Sequence, residues 1–296
     1  MHKLARSLRK PWRHRWRSIV HGFERILAPV LTQGQWLLRR WLPQRPSGLS
    51  RPLRITLTSH PPRYGTLALT LKSLLNQSVR ADEVVLWVYA PQAEALPPEV
   101  TRLQREGLRI ERCPHDWRVY TKFIPALISD PQAIWVTADD DIRYPRDWLA
   151  TLLAGHRAAP GAIVCRRAHL MEFDADGGLR PYGCWPKQTE RSAASEPLFL
   201  TGVGGVLYPP GTLHEQTTDA ARFLALSPNA DDIWLNWMAR LRGTPICRVG
   251  DDHEPVAWFG SRRVSLFRLN ARGTNNDDCV ERMVQAYGSD CLRERR

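Results

Sequence analysis

Three consecutive aspartates, Asp139, Asp140 and Asp141, follow the apolar run Ala133-Ile-Trp-Val-Thr137 and precede Pro145. Carboxylates on adjacent residues repel one another, so a cation is their natural partner. Oxygen-only donors favour Mg2+ or Mn2+, ions that take their remaining ligands from water and substrate phosphates. A solvated acidic turn ahead of the next helix would read the same way. A second acidic pair, Asp231-Asp232, opens Asn229-Ala-Asp-Asp-Ile-Trp-Leu235. One of these acids would suffice to cap a helix. The other is then placed where the helix dipole favours an ionised carboxylate, the state a general base needs. Between the two acidic stretches, Leu198–Tyr208 contains Gly202, Gly204 and Gly205. Missing side chains there let something approach the backbone closely, although a β-bulge or packing crossover uses glycine in the same way.

These groups need a scaffold that brings them together. Residues 133–137 read as a buried strand ending at the acidic triplet. After Pro145, Trp148, Leu149, Leu152, Leu153 and His156 share one helical face. Upstream, 53–58 reads as a strand, 59–63 as a loop at its end, and Leu67, Leu71, Leu74 and Leu75 as one face of the following helix. Strands are expected at 84–89 and 108–112, and helices at 98–106 and 121–129, the latter carrying Lys122 near its start. A further strand, 162–166, runs into Arg166-Arg167. Short connections between alternating strands and helices predict an α/β fold with a mostly parallel sheet and helices on both faces. Ligands in such sheets sit at the C-terminal strand edge, where the triplet lies. No G-x-G-x-x-G follows the first strand and there is no P-loop, which disfavours dinucleotide and ATP sites.

The chain has 296 residues, a hydrophobic content of 43% and a net charge of +12. It is long enough for one large domain or two small ones. The basic excess is concentrated at the start, where Glu24 is the only acid before Asp82. From Pro11, Trp12, Trp16, Ile19, Val20, Phe23, Leu27 and Val30 recur at helical spacing, and Pro29 is expected to end that helix. Trp36, Leu37, Leu38, Trp41 and Leu42 form a second apolar cluster around Arg39 and Arg40. A cationic helix with Trp on its apolar face suits an anionic bilayer surface. Docking on the main domain, organelle targeting and nucleic-acid binding are the competing uses. Residues 43–48 read as a linker. The expected organisation is a basic amphipathic extension over 1–50, a main domain over 51–260, and a C-terminal tail over 261–296 on or near the active site. Within that tail, 275–278 reads as solvated. The six cysteines have no metal-binding spacing and read as reduced thiols in a cytosolic protein. No apolar run is long enough to span a membrane.

The ordered set resembles the inverting family 2 glycosyltransferases of the GT-A fold. Residues 55–78 look like that family's opening strand, loop and Leu-rich helix ending in Asn-Gln-Ser. Asp139-Asp140-Asp141 followed by Pro145 looks like its metal-binding D-x-D motif. Thr201-Gly-Val-Gly-Gly-Val-Leu-Tyr208 looks like its Gly-Gly segment beside the sugar site. Asp231-Asp232 looks like its Glu-Asp catalytic pair, with Asp replacing Glu. The resemblance covers roughly 53–250 and rests on order, since no single motif is specific. It implies that Asp140 is the main metal ligand, with Asp139 on the ribose or the metal and Asp141 in support. It implies that Asp232 is the catalytic base beside Asp231. Thr58, His60, Arg63, Lys122, Gly204 and Gly205 would contact a nucleotide-sugar donor. Where many relatives end their second strand in an Asp that reads uracil or ribose, this chain has Val88-Tyr89, so a UDP-sugar is not implied. Arg166, Arg167 and Trp185 are candidate contacts for a glycan or lipid-linked acceptor, and His253 a candidate extra ligand for Mn2+ or Mg2+. The setting implied is a peripheral protein on the cytosolic face of a membrane, building cell-surface polysaccharide or lipopolysaccharide, with no nucleic acid as partner. The rivals are a sugar nucleotidyltransferase, which should carry a Gly-rich cationic loop after the first strand, and a non-catalytic membrane- or nucleic-acid-binding module on a degenerate domain.

Overall fold

The computed structural model describes residues 10–193, 195–250, 255–259 and 275–293; in the first helix, side chains are described at residue 22 and from 24 onward. A long helix, α1 (Lys10–Leu37), precedes β1 (Leu53–Thr58), α2 (Tyr64–Leu75), β2 (Glu83–Tyr89), the single turn α3 (Pro98–Thr101), β3 (Leu108–Cys113), α4 (Ile124–Ser129), β4 (Ile134–Thr137), β5 (Ile142–Arg143) and α5 (Trp148–Ala158). There follow β6 (Ile163–Cys165), β7 (Ala168–Leu170), β8 (Leu198–Leu200), β9 (Val206–Tyr208), α6 (Ala220–Leu226), α7 (Asp231–Arg242), β10 (Ile246–Arg248), β11 (Val256–Ala257) and α8 (Asn275–Tyr287).

Seven strands form one sheet in the order β10-β6-β9-β4-β1-β2-β3. All neighbours are parallel except β9, which runs antiparallel to both β4 and β6. Period-two alternation explains why both faces are covered. Leu53, Ile55 and Leu57 of β1, Val84, Leu86 and Val88 of β2, and Ile134 and Val136 of β4 enter one core with α2 and α5. Val85, Trp87, Trp135, Val206 and Tyr208 enter a second core with Ile233, Trp234 and Trp237 of α7. Such double burial is what a mostly parallel sheet requires, and each enclosed large side chain contributes about 1.5–3 kcal/mol. The α/β fold implied by the sequence is therefore present.

Local differences have local causes. Residues 98–106 divide into α3 and a 3-10 stretch, Arg102–Glu106, closed by Gly107 in the left-handed region. The helix expected over 121–129 begins only at Ile124, after a 3-10 turn, Arg118–Lys122, and with Pro125 in its first turn. Pro29 does not end α1. It withdraws one N–H from the ladder, but the domain grips the helix on either side. Ala28, Thr32 and Trp36 are buried, Arg25 Nε donates to the Ala257 carbonyl at 3.2 Å, and Lys72 Nζ donates to Gln33 Oε1 at 2.8 Å. The segment after it is strapped rather than free. Gln44 Nε2 donates to the carbonyls of Leu75 and Gln77, and Arg45 pairs with Val79. Among the described residues the cysteines form no disulfide.

Candidate active site

Parallel pairing of β1 with β4 puts their C-terminal ends at one sheet edge, with Thr56 opposite Thr137. The 59–63 loop and the acidic triplet therefore meet. Asp140 is buried, and both its oxygens are engaged: Ser59 Oγ donates to Oδ2 at 2.5 Å and Arg63 Nη1 to Oδ1 at 2.5 Å. The same Arg63 nitrogen lies 3.5 Å from Asp141 Oδ2. The turn is shaped from behind by the Thr70 hydroxyl at the carbonyls of Asp140 and Ile142, by Tyr144 Oη at the Asp139 N–H, and by the Trp258 N–H on the Asp141 carbonyl.

Lys122 joins this turn to the second acidic pair. Its Nζ lies 3.0 Å from Asp231 Oδ2 and 3.6 Å from Asp139 Oδ1, and the Thr56 hydroxyl holds its carbonyl. Burial alone would lower the Lys122 ammonium, but Asp231, Asp139 and Asp232 together raise it. Asp139 is pushed up to about 6 by burial, with Lys122 opposing and Asp141 and Asp140 adding to the rise. Burial, and then Asp231, push Asp232 up to about 7. The helix start was expected to favour an ionised carboxylate at this pair; at Asp232 desolvation and the neighbouring charge outweigh it. An acid titrating near neutrality can both accept and hold a proton at physiological pH. Asp232 Oδ1 accepts the Gly202 N–H at 2.8 Å, and Asn236 ties the Asp232 carbonyl to β8.

These groups line one cavity of about 610 Å3, walled by Thr58, Ser59, His60, Arg63, Lys122, the aspartate triplet, Gly202, Asp231 and Asp232. Six carboxylates there (Asp116, Asp139, Asp140, Asp141, Asp231 and Asp232) face three cations, Arg63, Lys122 and Arg118, an excess of three negative charges when all are ionised. Among the described residues, no three His, Cys, Asp or Glu side chains converge on a complete metal-ligand set. The donor chemistry nevertheless fits a hard divalent cation, because Mg2+ and Mn2+ ordinarily use one or two carboxylates together with water and substrate oxygens.

Other expected residues lie elsewhere. Gly204 and Gly205 are outside the cavity wall. Gly205, at φ +96°, is where Trp148 approaches; a Cβ would come within 2.5 Å of its ring. The glycine serving the site is Gly202, whose Cβ would lie 2.9 Å from Asp232 Oδ1 and 3.1 Å from Lys122 Nζ. Trp185 is buried, with Nε1 donating to the Arg180 carbonyl; Tyr182, packed against it, lines the cavity together with Tyr89 and Phe199. Arg166 lies under Gly204 and Gly250, and neither Arg166 nor Arg167 lines the cavity. His253 lies outside the described residues. The wall also contains Gln92, Asp116, Arg118, Asn229 and Asn276. Asn276 corrects the solvated reading of 275–278: α8 packs on α7 and reaches the cavity, and Asp277 accepts the Gly183 N–H at 3.2 Å. Arg118 has φ +54°, uncommon at a non-glycine residue and not marked in the sequence.

No protein-family model and no curated protein matches the chain. Among solved structures, the fold is similar to mannosyltransferase PcManGT from Pyrobaculum calidifontis in complex with GDP-Man and Mn2+, with 17% identity, 93% of this chain and 83% of that one covered, and a TM-score of 0.46. It is also similar to glucosyl-3-phosphoglycerate synthase from Mycobacterium tuberculosis in complex with Mn2+, UDP and glucosyl-3-phosphoglycerate, with 16% identity, 40% of this chain and 44% of that one covered, and a TM-score of 0.31.

Proposed function

We propose that the protein is a GT-A-type glycosyltransferase that moves a sugar from a nucleotide-sugar donor to a glycan or lipid-linked acceptor, with inversion. The observation that carries this is the meeting, in one cavity, of a strand-end acidic turn and a separate helix-start carboxyl, Asp232, titrating near neutrality. Asp232 takes the proton from the acceptor hydroxyl. Its Gly202 hydrogen bond fixes its direction, and Asn236 fixes the first turn of α7 that carries it. Lys122 and Arg63 face the diphosphate, and Thr58 and His60 line the nucleotide end. Asp139, Asp140 and Asp141 would hold Mn2+ or Mg2+, which when bound supplies charge neutralisation for the leaving diphosphate. Tyr182, with Lys187 over its ring, is one aromatic side chain on the wall within reach of an acceptor sugar.

We also assign the outer face of α1 and the residues after it to an anionic phospholipid surface. Ile26, Leu27, Val30, Leu31, Leu37, Leu38 and Trp41 are 48–83% exposed, while the opposite face docks. The basic excess of the first fifty residues complements anionic lipid. Among the described residues no helix is long and apolar enough to cross a membrane, so contact would be interfacial. The setting we assign is the cytosolic face, in cell-surface polysaccharide or lipopolysaccharide synthesis.

The donor test is a thermal-shift panel of UDP-, GDP-, CMP- and dTDP-sugars with and without Mn2+, in wild type and Asp140→Asn. A ligand confined to the folded state raises stability by RT ln(1 + [L]/Kd). A metal-dependent shift for one nucleotide class, lost in the variant, is expected. No shift with any donor at saturating concentration would overturn the reading in favour of a non-catalytic binding module.

A further inference from the structure

Arg63 engages carboxylate oxygens of the acidic turn. Its Nη1 contacts Asp140 Oδ1 at 2.5 Å and lies 3.5 Å from Asp141 Oδ2, so one guanidinium nitrogen bridges two of the three carboxylates. Ser59 takes the other oxygen of Asp140. Lys122 bridges Asp139 and Asp231 in the same manner. Each cation holds together two acids that would otherwise repel. Both line the cavity and are equally exposed, at 13%, but they differ in the backbone that carries them. Lys122 is enclosed between the two acidic groups. Arg63 closes a short 3-10 turn, Pro61–Arg63, ahead of α2, on the cavity wall, with a long flexible side chain.

Resting on the proposed donor site, we propose that Arg63 is an internal counter-ion that exchanges with a divalent cation on Asp140. In the donor-free protein Arg63 keeps the acidic turn assembled. Once the cation is present, Arg63 gives up Asp140 and turns its charge to the donor's phosphates in the same cavity. The physical reason is that a guanidinium and a divalent ion on the same carboxylate compete for its charge, and their mutual repulsion at short range in a shielded site is large. A planar, permanently charged fork is also well matched to phosphate oxygens.

The exchange predicts effects of opposite sign on two ligands. Mn2+ binding, read from the EPR signal of free Mn2+, would be measured in wild type, Arg63→Gln and Arg63→Lys. Inorganic pyrophosphate binding would then be measured calorimetrically at saturating Mn2+. Arg63→Gln should bind Mn2+ roughly tenfold or more tightly, because the competitor is gone. It should bind pyrophosphate roughly tenfold or more weakly, because one cation is missing. Arg63→Lys should fall between on both counts. Metal-free thermal melts show whether the variants fold, and Mn2+ should narrow the Arg63→Gln deficit. If Arg63→Gln binds Mn2+ no tighter than wild type, the exchange is refuted. If Mn2+ binds tighter but pyrophosphate is unaffected, the transfer of Arg63 to phosphate is refuted. Absence of Mn2+ binding in all three proteins refutes the exchange and also the metal assigned to the proposed function.

Discussion

Asp232→Asn separates chemistry from structure at this site. Asparagine is nearly isosteric, and its Oδ1 can still accept the Gly202 N–H that Asp232 holds at 2.8 Å. The N-terminus of α7 should therefore stay in place and donor binding should persist. Proton acceptance is lost, and removing a positioned base lowers turnover by about 10²–10⁴-fold, roughly 2.7–5.4 kcal/mol of barrier. Stability should move the other way. The Asp232 carboxyl is raised from 3.8 to about 7, so the folded state keeps a proton that the unfolded chain releases as pH rises through 4. The native state loses stability progressively from there to about pH 7, where the carboxylate is forced to ionise. The neutral amide escapes that penalty. Relative to wild type, the variant should gain on the order of 2–4 kcal/mol between pH 4 and pH 8. The comparison must be a difference between the two proteins, because His169, lowered to about 3 chiefly by burial, imposes an opposite trend on both. The assays are donor-dependent nucleotide release and urea melts across that pH range. Wild-type kcat/KM should fall about tenfold per pH unit below about 7. Turnover of Asp232→Asn within threefold of wild type, or a stability difference that does not change with pH, would refute the assignment of a near-neutral base.

Two further outcomes follow from packing and exposure. Gly205→Ala should destabilise by roughly 2–5 kcal/mol, combining left-handed backbone strain with overpacking against Trp148; Gly65→Ala, with open space and ordinary φ, should be neutral or stabilising by up to ~1 kcal/mol in the same urea melts. Leu27→Glu combined with Val30→Glu, on the exposed side of α1, should abolish flotation with phosphatidylglycerol vesicles while leaving thermal stability within ~1 kcal/mol; retained flotation would refute the membrane assignment, and a dimer-to-monomer change on light scattering would assign the face to a second copy instead.

Much of the scaffold was legible from local pattern. The runs that became β1, β2 and β4 are apolar and β-rich, and the acidic triplet had to follow β4, because period and turn chemistry act over a few residues. That Asp139, Lys122 and Asp231 share one ion cluster was not legible. Their approach depends on β1 pairing with β4 and on α7 packing from the other core, contacts far apart in sequence. Glycine gave an ambiguous signal for the same reason: the sequence marks Gly202, Gly204 and Gly205 alike, whereas only the fold says that Asp232 crowds one and Trp148 another. Pro29 shows tertiary contact overriding a local stop signal. The charge of Asp232 is the sharpest case. A helix-start aspartate alone reads as ionised. Enclosure beside Asp231 raises its affinity for a proton, and enclosure is a property of the assembled fold.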